Sequence, residues 1–63
     1  MTIDRSAPEG NAFVIIGYVH KVLKMAKRES EWPEIQKKMM AGDYKNLCKI
    51  ATKETHGVIK FKG

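Results

Sequence analysis

Residues 12–26 read AFVIIGYVHKVLKMA, and the spacing of their apolar side chains decides the fold. Ala12, Ile15, Ile16, Val19, Val22, Leu23 and Ala26 recur at the intervals that place them along one stripe of an α-helix. Phe13, Val14 and Tyr18 lie off that stripe and are still apolar. A helix that is apolar around most of its circumference needs cover on several sides. Either it is the central element of the domain, or its N-terminal half meets another chain. Gly17 would let a second backbone come close, although glycine weakens a helix interior.

Upstream, Ser6-Ala7-Pro8-Glu9-Gly10-Asn11 is a helix start. Ser6 and Glu9 have capping-box spacing, Pro8 suits a first turn, and Asn11 is a second cap. The helix is therefore expected from residue 8 or 11 to about residue 28. Residues 1–5 read as a short strand with Met1 and Ile3 on one side.

Downstream, Ser30 is placed to cap a second helix with Pro33 and Glu34 in its first turn. Trp32, Ile35 and Met39 share a face of it, and Gly42 is expected to close it. Asp43 then caps a third helix with Tyr44, Leu47, Cys48 and Ala51 on one face, ended by Gly57. Residues 58–62 alternate, with Ile59 and Phe61 on one side, and read as a final strand. The expected class is mainly α. Three helices stand with a small two-stranded sheet from the two chain ends, or with frayed ends if the strands do not pair.

The 63 residues have room for one domain. So short a chain buries little of its surface and is marginally stable. Cys48 is the only cysteine, so no disulfide forms within one chain. A lone thiol fits a reducing cytoplasm. Cys48, His20 and His56 have no metal-ligand spacing, so no metal or other cofactor is expected. Residues 1–12 carry Asp4, Arg5 and Glu9 and lack the apolar segment of a signal peptide. The longest apolar run, residues 12–19, is too short to span a bilayer, and no membrane partner is expected.

Twelve Lys and Arg against seven Asp and Glu give a net charge of +5, which favours acidic partners. Lys45, Lys49 and Lys53 recur every four residues on the third helix, and Lys60 and Lys62 follow on the final strand. Such a row can track phosphates of a nucleic acid or nucleotide, and equally is the solvated face of an amphipathic helix. Lys21, Lys24, Lys27 and Arg28 form a second basic cluster, which the dipole at the end of the first helix already accounts for. Ala41-Gly42-Asp43 has the turn length of a DNA-binding helix-turn-helix. Lys38 stands where that motif needs a small buried residue, and only Asn46 suits base reading, so the segment reads as an ordinary hairpin.

Trp32 is either an exposed anchor for a partner or a lid over the end of a small core. Met39 and Met40 would suit an adaptable surface or fill core gaps. Nucleophilic chemistry would need Cys48 beside His20 or His56, yet Cys48 falls on the apolar face of its helix. No catalytic residues are expected, and the chain does not read as an enzyme.

Pro8-Glu9-Gly10-Asn11-Ala12-Phe13 and Gly42-Asp43-Tyr44-Lys45-Asn46-Leu47 are similar to stretches of a group of small uncharacterised bacteriophage and bacterial proteins. These have a GNAF-like helix start and a GDY-like turn. The similarity covers residues 8–50 and implies a common fold and a phage or prophage setting, with no activity to transfer. The basic, strand-like residues 58–62 depart from the group. The leading expectation is a non-enzymatic interaction protein that engages a host protein or itself through Phe13, Val14, Tyr18 and Trp32. The alternative is nucleic-acid or nucleotide binding through Lys45, Lys49, Lys53, Lys60 and Lys62.

Overall fold

Asn11, and not Ser6, starts the first helix. Its side-chain oxygen accepts the Phe13 N–H at 2.8 Å. Ser6 is occupied one turn earlier, its N–H and hydroxyl both donating to Asp4 Oδ1 at 2.9 and 2.6 Å. In the computed structural model, residues 1–63 are described, with every side chain except that of Glu9. Strand β1 is Thr2–Asp4, a 3-10 turn covers Pro8–Gly10, and helix α1 is Ala12–Met25. A second 3-10 turn at Glu29–Glu31 leads into α2, Trp32–Met40; α3 is Tyr44–Glu54 and β2 is Lys60–Lys62.

Helices α1 and α3 stop in the same way. The Lys27 N–H bonds the Lys24 carbonyl and the Arg28 N–H the Leu23 carbonyl, at 3.1 and 2.7 Å. At the end of α3, His56 bonds Lys53 and Gly57 bonds Thr52, at 3.2 and 3.0 Å. This is the Schellman arrangement, which requires a left-handed residue just past the helix. That residue is Lys27 (φ 59°) in one case and His56 (φ 53°) in the other. Gly57, the expected stop, comes one residue later, and α1 ends three residues short of residue 28.

Ser30 does not cap α2. It lies inside the 3-10 turn, and no side chain caps the helix. Nor is Gly42 left-handed; a Cβ there would lie 2.7 Å from the Asn46 side-chain nitrogen, which would have to swing aside. Asp43 does cap α3, accepting the Asn46 N–H at 2.9 Å.

The two end strands pair, and they pair in parallel: Thr2 with Lys60, Ile3 with Phe61, Asp4 with Lys62. Parallel neighbours need a long crossover, and here the three helices together are that crossover. Ile3 is buried and Phe61 half-buried against the helices, while Lys60 and Lys62 are exposed.

One core collects Ile3, Ile15, Val19, Leu23, Ile35, Met39, Leu47, Cys48, Ala51 and Ile59. Helix α3 packs against α1, α2 and β2, and α1 packs against α2, α3 and both 3-10 turns, so the two helices share the centre of the fold. Helix α1 fully buries the Ile15, Val19, Leu23 row, covers Ala12, Ile16, Tyr18 and Val22 in part, and leaves Phe13 and Val14 exposed. Ala51 and Cys48 are small and let neighbours close on α3 from several sides.

Candidate functional site

Three surfaces carry the candidate residues. The first is basic. Lys45, Lys49 and Lys53 are exposed along α3, each about 6 Å further along the axis than the last. Lys60 and Lys62 are exposed on β2, which packs beside α3. The structure places the five on two adjoining elements, not on one helix face. The ion pairs are Arg28–Glu31 and Arg28–Glu54, and His20 lies against Glu29, so none of these lysines is paired among the described side chains. Lys62 stands in register with Asp4, whose carboxyl is held below its usual range mainly by Ser6 and in smaller part by Lys62. Asn46, the one candidate base reader, donates to the Lys38 carbonyl at 3.3 Å and so clamps the α2–α3 turn.

The second basic cluster divides. Arg28 is structural: it donates to the Glu54 carbonyl at 2.6 Å and to both Glu31 carboxylate oxygens at 3.0 Å. It thereby supplies a cation to the last carbonyls of α3 and ties the end of α1 to the start of α2. Hydrogen bonds from Arg28 hold the Glu31 carboxyl below its ordinary range, with His56 adding a smaller effect. Lys21, Lys24 and Lys27 remain exposed and unpaired among the described side chains.

The third surface is apolar and has two parts. At the start of α1, Phe13 is 80 % exposed and faces Met40, 60 % exposed, across an open groove of about 260 Å³. Ile16, Met39, Tyr44 and Leu47 also line it. The Tyr44 hydroxyl turns inward and donates to the Gly10 carbonyl; desolvation and a hydrogen bond with Cys48 hold its pKa above the ordinary range. Val14 and Tyr18 fall on the other flank of α1, a quarter turn or more from Phe13. The structure therefore does not bring Phe13, Val14 and Tyr18 into one patch. At the far end, Val22, Met25, Ala26 and Val58 form a hollow of about 290 Å³.

Trp32 is half-buried against the core and stacks on His20, ring centroids 4.6 Å apart and 4° from parallel. His20 Nε2 lies 3.4 Å from Glu29. Trp32 is thus a lid over the core end. Cys48 is buried, with Tyr44 as its polar neighbour, while His20 and His56 belong to the Arg28 end. No group of three His, Cys, Asp or Glu side chains among the described residues is placed to hold a metal ion. No helix is long and apolar enough to cross a membrane.

Sequence reading names Met40 for a surface but singles out neither Met25 nor Val58. Both carry a signal of exposure: Met25 lies off the apolar row of α1, and Val58 alternates with Ile59 on the side of Lys60 and Lys62. No protein family, curated protein or solved structure matches the chain.

Proposed function

We propose that this chain is a small non-enzymatic interaction protein that engages another protein, or a second copy of itself, through the apolar groove at the start of α1. The exposure of Phe13 opposite Met40 carries the reading. An aromatic ring left in water beside a methionine-lined depression has the composition of an interface hot spot. We infer further that the chain acts as an accessory factor on a host protein, in a phage or prophage setting.

Phe13→Asp is the test. It is expected to leave thermal unfolding within a few degrees, since the ring contributes little burial, and to reduce retention of a partner at least tenfold. Light scattering across a concentration series and pull-down from host lysate, with and without nuclease, give the readout. A strict monomer whose Phe13→Asp variant retains the same partners as the parent chain would overturn the reading.

A second reading rests on the unpaired lysines of α3 and β2. Phosphate binding by Lys45, Lys49, Lys53, Lys60 and Lys62 is expected to be independent of base sequence, because each ammonium is a point charge. Replacing Lys49 and Lys53 by Glu is expected to lower duplex affinity more than tenfold and to flatten the log–log salt slope by about 2. No binding of DNA, RNA or nucleotides at low salt would exclude it.

A further inference from the structure

We propose that the hollow between Val22, Met25 and Ala26 of α1 and Val58 ahead of β2 receives an apolar side chain of an acidic amphipathic segment on a partner protein. Carboxylates of that segment meet Lys21 and Lys27, which flank Val22 and Ala26 in sequence. The inference rests on the reading of α1 as an interaction helix and adds to it a second contact with a defined chemistry.

Shape, charge and the neighbouring acids all lead there. Met25 is 77 % exposed and Val58 49 %, and with Val22 and Ala26 they border an open apolar depression of about 290 Å³. That is at or below the small end of small-molecule sites, roughly 300–1,000 Å³, and suits one or two protein side chains. An anionic lipid surface is the rival occupant, and titration with vesicles decides for or against it. Helix α1 contains no Asp or Glu. Lys21 lies one turn before Met25 and on the same side of the helix, and Lys27 follows Ala26 directly. Of the acids near this end, Glu31 and Glu54 pair with Arg28, and Glu29 lies against His20. A second copy would bring the same net charge of +5 to this face, which like-charge repulsion disfavours. An acidic segment supplies the missing charge.

Lys27 gives a test that separates binding from folding. It holds a left-handed conformation (φ 59°) that glycine adopts without strain. Lys27→Gly is expected to raise the melting temperature by roughly 4 °C and to weaken the docked segment at least threefold. Methyl NMR of the full chain would follow titration with a synthetic helix carrying Leu on one face and Glu on the other. The same helix with Lys in place of Glu, and phosphatidylserine vesicles, complete the comparison. Saturable, salt-sensitive shifts at Val22, Met25 and Val58 with the acidic helix alone, lost when Lys21 and Lys27 become Glu, support the site. Equal shifts with the Lys helix, shifts only with vesicles, or no shift at these methyls overturn it. Shifts confined to Ile16 and Met40 overturn it too while leaving the Phe13 groove standing, and Phe13→Asp decides that groove independently.

Discussion

Gly10→Ala is expected to destabilise the chain by about 3 kcal/mol, the upper end of the cost of overpacking. The sign is the informative part. Replacing glycine by alanine where the backbone permits it usually stabilises by about 0.4–1 kcal/mol, through the unfolded state. Gly10 has no left-handed φ to lose, so conformation does not forbid alanine. Space does. A Cβ at Gly10 would lie 2.7 Å from the Arg5 carbonyl oxygen and 2.8 Å from the Arg5 Cα. Both are backbone atoms held by the pairing of the Arg5 N–H with Lys62, so neither can swing aside like a side chain. Relief would have to come from moving the Pro8–Gly10 turn, whose last carbonyl accepts the Tyr44 hydroxyl. The sheet, the turn and the start of α3 would be disturbed together. A domain of this size has about 3–9 kcal/mol in all, so the variant should be largely unfolded at moderate urea. Gly17→Ala is the internal control: a Cβ there meets nothing within 4 Å, and the variant should gain stability. Equal urea midpoints for Gly10→Ala and the parent chain would refute the close approach.

That pair of glycines shows which information sequence carries and which it does not. Residues 8–13 mark a helix start in sequence, and the structure has one there, capped by Asn11. Nothing local distinguishes a glycine crowded by Arg5, five residues away, from one facing open space. The same boundary runs through the rest of the fold. Asp43 and Asn11 cap as read because an Asx cap involves only the next two or three residues. Ser6 and Ser30 have the same local credentials and do not cap. Ser6 is claimed by Asp4, and Ser30 sits inside a turn whose neighbour Arg28 is tied to Glu31 and Glu54. The pairing of the chain ends is legible from their alternation, but the parallel direction is not, since it follows from how three helices return the chain. For the candidate surfaces, the lysine rows are periodic and can be read directly. The Met25–Val58 hollow joins residues 33 positions apart, and no spacing rule reaches that far.

Thr55→Val should cost about 2 kcal/mol, which for so small a domain lowers the melting temperature by roughly 8–16 °C. Thr55 is the one buried polar side chain among the described residues. Its hydroxyl donates to the Ala51 carbonyl at 2.7 Å and accepts the Ile59 N–H at 3.2 Å. The first bond is local to α3. The second joins the end of α3 to Ile59, which is fully buried and immediately precedes β2. Valine keeps the branched shape and removes the oxygen, so the Ile59 N–H is left buried without a partner, the expensive way to lose a hydrogen bond. Serine keeps the oxygen and loses one methyl, worth about 0.8 kcal/mol. The expected order of stability is therefore the parent chain, then Thr55→Ser, then Thr55→Val; burial of apolar area alone would put the valine variant above the serine one. Hydrogen exchange sharpens the contrast, because only Thr55→Val should release the Ile59 amide. The consequence reaches the lysines of β2. If Lys60 and Lys62 take part in binding phosphates, their placement depends on Ile59 staying seated, and Thr55→Val should weaken that binding while Lys45, Lys49 and Lys53 remain on an intact α3. Should Thr55→Val prove more stable than Thr55→Ser, the hydroxyl bridge would not be what seats the final strand.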